Sequence, residues 1–526
     1  MRGDILHNIL LGILKYLMEW IEGFLKKHKR LGVFDKIWEN IPPYPGYQPQ
    51  QKQYRQITMW NGTEMRGVNR VILACFTAAL RQAGATPKLS AAAHRDSKIA
   101  IRCVRAITDF CLMAQYRSHT SHTIGYMDEY LRQFHQFRHI FGEFRAGKAD
   151  REDAAKAAQE IEEDQARQAT IHQYFQLTST QRAKRSAEDR EERQQAVHNR
   201  LQQATFNFPK LHLLSHYGSQ VVDFGTLPQY STEITEALHK PLKDAYRRSN
   251  RVDAVEQILD IISRDYAIRM RELNLIAWSR EVQLPREVLE VLGAVKDCAR
   301  PSRLARRRST TKRRPTLGGK QSADNSSGTP LVLLAVVLEI SSLPQLFVDY
   351  LKLNVPHTML PPALEEISNY RAHYFNNLSV PVTQFQGDEE LIHVVRWTGD
   401  QEFRKRGKRR ADWVWVRRRE CGPIELQTGQ LDGRIIGRVE GLFSIQDKMD
   451  RVHEVALVKL LRLRGPAKPW GEEGMIRVEC TGEKQGFHII RVKDIEGLAH
   501  LIPLEAGRVW LVNNRIDLTT WNELYA

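Results

Sequence analysis

The chain has 526 residues, 42% of them hydrophobic, and a formal charge of +16 from 78 basic against 62 acidic side chains. At about 150 residues per domain that length excludes a single compact core, and the hydrophobic content excludes a chain disordered throughout. The basic excess favours polyanionic partners, nucleic acid before acidic membrane surfaces.

From Ile5 the apolar residues Ile9, Ile13, Leu17, Ile21 and Leu25 keep helical spacing, with Asp4 placed to cap the helix. Lys15, Glu19 and Glu22 interrupt this stretch and it lacks a small-residue cleavage site, so it does not read as a signal peptide. No run of about 18 uncharged apolar residues follows anywhere, and a membrane span is not expected. After the proline-rich break from Ile41 to Pro49, helices are predicted over Val68 to Ala83, Asp96 to Tyr116 and Thr123 to Phe144. The last carries an aromatic stripe of Tyr126, Tyr130, Phe134, Phe137 and Phe141, which reads as core before it reads as a base-stacking platform.

Residues 146–204 turn to Ala, Glu, Gln, Arg and Asp, a solvated helical or disordered insertion. The segment from Tyr230 to Arg251, YSTEITEALHKPLKDAYRRSNR, then packs charge into one amphipathic stretch. Ile234, Leu238, Leu242 and Ala245 make an apolar face that points to a core, while Glu233 and Glu236 share a neighbouring face. Arg247, Arg248 and Arg251 lie about three turns on. From periodicity alone this is a solvated face with pairs such as Glu236 and Lys240; a carboxylate beside cations also suits an enzyme holding a divalent cation against a phosphate backbone. Pro241 predicts a kink or a restart just after Glu236 and His239. A long helix is predicted from Val252 to Trp278 through Val255, Leu259, Ile262, Tyr266 and Leu273.

Eight of the fifteen residues from Arg300 to Arg314 are Lys or Arg, and nine cations fall between Arg404 and Arg419. The first run suits a nuclear-import signal, a phosphate-binding tail or a merely solvated linker. Alternating segments at Trp413 to Val416, Arg434 to Ile445, Val455 to Leu463, Met475 to Cys480, Phe487 to Val492 and Val509 to Val512 predict a mostly β end. The six cysteines, Cys75, Cys103, Cys111, Cys298, Cys421 and Cys480, form no CxxC pair and read as reduced intracellular thiols.

Three blocks carry a resemblance. GDILHNILLGILK at Gly3 to Lys15 resembles the acidic, Leu, His block of transposases in the KDZ and CACTA-like superfamily. FPKLHLLSHY followed by STEITEALHKPLKDAYRRSN, Phe208 to Asn250, resembles the block closing the catalytic region of the Plavaka branch found in fungal genomes. The end, through AHLIPLEAGRVWLVNNRIDL, resembles the accessory domain that follows it.

The resemblance implies an α+β chain. An incomplete RNase H-like catalytic region dominated by a helical insertion is followed by a mostly β C-terminal domain. Its boundaries would be 1–145 for the start of the core and insertion, 146–204 for the charged insertion and 205–298 for the end of the catalytic region. A basic disordered linker over 299–330 and an accessory domain over 331–526 would complete it. Three carboxylates would bind Mg²⁺ or Mn²⁺ for phosphodiester cleavage, the second at Asp4 and the third at Glu236, with Glu233 the alternative. His7, His212, His216 and His239 fall on matching positions; His212 and His216, four apart on one helical face, lack a third soft ligand for zinc and read as structural or as DNA contacts. Arg247, Arg248 and Arg251 would hold phosphate oxygens. Only three residues precede Asp4, so the first carboxylate is expected to be missing and cleavage lost. The expected partners are DNA and a second copy of the chain, and the expected location is nuclear. Two other readings stay open: a non-enzymatic DNA-binding or chromatin-associated protein, and a helical scaffold acting through 146–204.

Overall fold

The computed structural model describes residues 4–49, 60–82, 88–144, 209–281, 314–320, 328–355, 364–387, 390–397, 410–417, 433–447, 449–465, 473–480, 486–505 and 508–525. The insertion 146–204, most of the basic run 300–314 and much of the cluster 404–419 lie outside them. The described chain is α+β and forms two units, one of Met1–Tyr230 with Arg314–Ala526 and one of Ser231–Arg313.

The first unit opens with a π-helical segment, Ile5–Ile13, that runs into α1 (Leu14–Lys27). Apolar side chains four apart from Ile5 to Leu25 are all buried, as their spacing predicts. Next come α2 (Leu31–Glu39), α3 (Gly62–Arg81), α4 (Ala91–Met113) and α5 (Ser121–Phe137), the last prolonged by a 3-10 turn to Phe144. Starts are set by side-chain caps: Asn61 and Glu64 form a reciprocal capping box on α3, and Ser90 caps α4. Phe134 and Phe141 of the aromatic stripe are fully buried, whereas Tyr126 is exposed. Two short helices, α6 (Pro209–Leu214) and α7 (Tyr217–Phe224), close the helical part. Among the described residues before Ser231 there is no strand beyond an isolated bridge between Tyr44 and Tyr47.

The second unit holds α8 (Glu233–Arg248) and α9 (Ala254–Glu281). Past it, β1 (Thr316–Lys320) and β2 (Thr329–Pro330) precede α10 (Leu331–Val337), α11 (Leu343–Asn354) and α12 (Leu364–Ser368). The sheet continues as β3 (Arg371–Thr383), β4 (Glu390–Arg396), β5 (Trp413–Arg417), β6 (Arg434–Gln446) and β7 (Val452–Leu463). It ends with β8 (Ile476–Cys480), β9 (Phe487–Arg491), β10 (Ile495–Leu498), β11 (Leu501–Glu505), β12 (Val509–Val512) and a last helix, α13 (Leu518–Tyr525). The order is β1-β3-β6-β7-β8-β12-β11, with β2 and β4 on β3, β5 on β6, β10 on β5 and β9 on β7. All these pairings are antiparallel. Each of the six alternating segments becomes a strand. The stretch 299–330, expected to be a disordered linker, departs from that expectation: Thr316–Lys320 adds to the edge of β3, where backbone pairing needs no apolar side chains.

Helices and sheet share one hydrophobic core, which runs from Ile9 and Phe110 to Leu442 and Trp521. Through it passes a buried polar seam. Arg515, just past β12, donates from Nε and Nη2 to the Asp109 carboxylate of α4 at 2.7 and 3.0 Å; both side chains are essentially inaccessible. Arg105 approaches the same carboxylate at 3.4 Å, and Arg515 Nη1 also donates to Asn514 Oδ1 at 2.8 Å. Nearby, Asn513 Nδ2 donates to the Arg70 carbonyl at 2.9 Å, and Tyr44 donates to Asp517 at 2.5 Å. Buried Glu473 accepts from Arg477 at 2.7 Å, and Arg81 lies 3.2 Å from its other carboxylate oxygen as an ion pair. Burial pushes the Cys75, Cys103 and Cys111 thiols up, so they stay protonated; with Cys480 they are free, in keeping with reduced thiols among the described residues.

His500 is held in one tautomer by its partners. Nε2 donates to the Pro42 carbonyl at 3.1 Å, and Nδ1 faces the Asn513 amide nitrogen at 3.2 Å as acceptor. Burial lowers its pKa from 6.5 to about 4, against smaller opposing effects of the Pro42 carbonyl and Asp517. A proton on Nδ1 would set two donors against each other.

Two outcomes follow from this seam. Asp109→Asn leaves the Arg515 guanidinium buried without its counter-charge and should lower stability by about 3–5 kcal/mol, read by urea unfolding. Adding Arg515→Met should restore part of it, giving a non-additive double-mutant cycle; additive losses would mean the pair does not interact. The unfolded chain binds a proton on His500 below pH 6.5 and the folded chain only near pH 4, so stability is complete above 6.5 and falls as pH drops toward about 4. Each such histidine contributes about 1.4 kcal/mol per pH unit in that window. His135, lowered to about 4 chiefly by burial, adds to the same slope. His500→Gln should flatten the slope by about one proton in unfolding measured from pH 7 to 4, and an unchanged slope would count against the assignment.

Candidate nucleic-acid interface

Two of the resembling blocks meet in the first unit. Asp4 caps the π-helical segment, its Oδ2 accepting from the His7 backbone N–H and lying 2.8 Å from His7 Nδ1. Tyr217, from the second block, donates to the Asp4 carbonyl at 3.1 Å and accepts from Asn8 Nδ2 at 3.1 Å. Burial pushes the Tyr217 phenol up, so it acts as a neutral hydrogen-bonding hub. The expected capping role of Asp4 is therefore seen.

His212 and His216 do not share one helical face as their spacing predicts. α6 ends at Leu214, and His216 precedes α7 with φ −95° and ψ −3°. The turn still brings the rings together, Nε2 to Nε2 at 3.2 Å, on the surface. One ring nitrogen donates to the other across this contact.

Glu233 and Glu236 lie in the first turn of α8 in the second unit. The helix runs unbroken through Pro241, without the restart its proline predicts. Its apolar face is only partly covered: Ala245 is buried but Leu242 is exposed. Glu236, Lys240, Lys243 and Arg247 recur at steps of four, three and four, so they fall on one face, and all are exposed along with His239. That face spans about 16 Å, with a carboxylate at its N-terminal end and three cations behind it. Lys243 completes the row and is legible from the same spacing, although the arginine cluster draws attention first.

The arginines have distinct settings. Arg247 pairs with Asp244 at 3.1 Å on the helix surface, and Arg248 reaches Asp265 of α9 at 2.8 Å. Arg251 sits at φ 66° in the turn between the helices, its guanidinium 5.9 Å from the Tyr246 ring centre. Asn250 and Gln257 brace that turn, Gln257 Nε2 donating to Asn250 Oδ1 at 2.7 Å. All three are exposed. Surface pairs of this kind contribute little and exchange readily for a phosphate.

Among the described residues no three His, Cys, Asp or Glu side chains converge in a way that could hold a metal ion. Asp4 is engaged with His7, and Glu233 and Glu236 belong to the other unit. No described helix is long and apolar enough to cross a membrane.

The chain matches no protein-family model, no curated protein and no solved structure.

Proposed function

We propose that this is a transposable-element-derived protein related to Plavaka-type transposases of the KDZ and CACTA-like superfamily, and that it engages DNA through α8. The observation that carries the reading is the exposed row of Lys240, Lys243 and Arg247 behind Glu236. Cations at that spacing lie along one line and track a phosphate backbone, whose binding is dominated by Lys and Arg contacts. The net charge of +16 supports the same partner and a nuclear location.

In this reading the helical part of the first unit corresponds to the insertion of an RNase H-like catalytic region and the sheet to the accessory domain. Asp4 and Glu236, with Glu233 as the alternative, would be the carboxylates that a family member turns toward Mg²⁺ or Mn²⁺. Such an ion supplies activation of a water or hydroxyl and stabilisation of the leaving oxygen. The alternative reading is a non-enzymatic DNA-binding or chromatin-associated protein, supported by the same basic excess.

DNA affinity measured by fluorescence anisotropy across salt concentration tests the proposal. Wild type should weaken steeply between about 50 and 200 mM salt. Lys240→Gln, Lys243→Gln and Arg247→Gln together should lower the slope of log affinity against log salt by about 3, at about 0.9 per phosphate contact; an unchanged slope would reject α8 as the contact. Glu236→Gln removes a negative charge from the same face and should leave affinity equal or higher. A plasmid-nicking assay in Mg²⁺ or Mn²⁺ then separates the two forms: nicking abolished by Glu236→Gln supports an enzyme, and salt-dependent binding with no nicking supports a binder.

A further inference from the structure

The α9 helix carries an apolar stripe that is exposed among the described residues. Val255, Leu259, Tyr266 and Leu273 are 59–73% exposed, Met270 is 40% exposed and Ile262 is half-buried. At 3.6 residues per turn these six fall within an arc of about 80° and run about 27 Å along the helix. The α8 helix packs on a different side, where Asp265 meets Arg248 and Gln257 meets Asn250. Single exposed apolar residues are ordinary, but a continuous line of six on one helix marks an interaction surface.

We infer that this stripe is a self-association surface, on which α9 pairs antiparallel with α9 of a second copy of the chain. The pattern itself names the occupant. Reversing the helix about Arg264 lays Val255 on Leu273 and Ile262 on Tyr266, and brings Leu259 within one residue of Met270. A stripe that maps onto itself under reversal is what a two-fold, isologous interface requires, since the same patch serves both copies. Charge agrees with this direction. The half from Ala254 to Ala267 has three acidic residues and one arginine, and the half from Ile268 to Glu281 has three arginines and two acidic residues. Antiparallel pairing sets the acidic half against the basic half and opposes the helix dipoles, whereas parallel pairing sets like against like. One helix per copy makes an interface at or below the roughly 800 Å² per partner of standard stable complexes, which suits a dimer that dissociates on dilution.

Analytical ultracentrifugation of the full chain from about 1 to 50 μM tests this. Wild type should move from the chain mass to twice that mass, and Leu259→Glu with Tyr266→Glu should stay monomeric with an unchanged far-UV circular dichroism spectrum. Direction is read by mixing Val255→Cys and Leu273→Cys chains carrying different tags and oxidising them, with wild type as the control for the native thiols. Cross-linking between the two variants supports the antiparallel pair, and cross-linking only within each variant overturns it. A wild type that remains monomeric throughout also overturns it; resistance of Leu259→Cys to alkylation in that monomer would show the stripe to be covered within the chain.

Discussion

The bidentate contact between Arg515 and Asp109 is the constraint on which the first unit rests. A carboxylate and a guanidinium without solvent each suffer a desolvation cost of several kcal/mol, met here by mutual attraction and by further partners at Arg105 and Asn514. An apolar contact tolerates sliding; a two-pronged ion pair does not. It therefore fixes how α4 meets the segment after β12, and the neighbouring bonds from Asn513, Tyr44 and His500 align with it. Burial of apolar surface supplies the drive to collapse, and this seam selects one arrangement of helices against sheet.

That division of labour explains why the helical and β-rich parts of the chain behave as one body. The shared core joins side chains from α3 and α4 to β11, β12 and α13. Each side alone would expose a broad apolar face and half of a charged pair. The described residues of the second unit are built differently: two helices joined by a braced turn, with few buried side chains among them and apolar and cationic residues such as Leu259 and Lys243 presented outward. One unit is organised for internal order and the other for contact.

The parts legible in the sequence are those set by short-range pattern. Alternation and β-branched content from Trp413 to Val512 mark six strands, although the central ones are buried on both faces, as the consecutive buried residues Val414 to Val416 and Val455 to Val458 show. The longest strand missed, Arg371–Thr383, contains Asn376, Asn377 and Pro381, residues that read as a loop, yet it pairs with β1, β4 and β6. Thr316–Lys320 reads as linker because a Gly-Gly strand edge has no alternation to show. The Asp109 and Arg515 pair is invisible to any local window, its members being 406 positions apart. In the candidate site, spacing places Glu236, Lys240 and Arg247 on one face correctly, but it does not relate Asp4 to Glu236. Spacing also marks the α9 stripe as apolar without telling what covers it.

The long span between Asp109 and its partner also orders events during synthesis. At about 5–20 residues per second, roughly 20 to 80 s separate emergence of α4 from emergence of Arg515. Through that interval the early helices collapse around an acidic group with no cation from the C-terminal segment to receive it, and β11 and β12 do not yet exist to cover α3. Completion of the helical part's core thus waits on nearly the last residues made, and apolar surface of α3 stays uncovered by β11 throughout that interval.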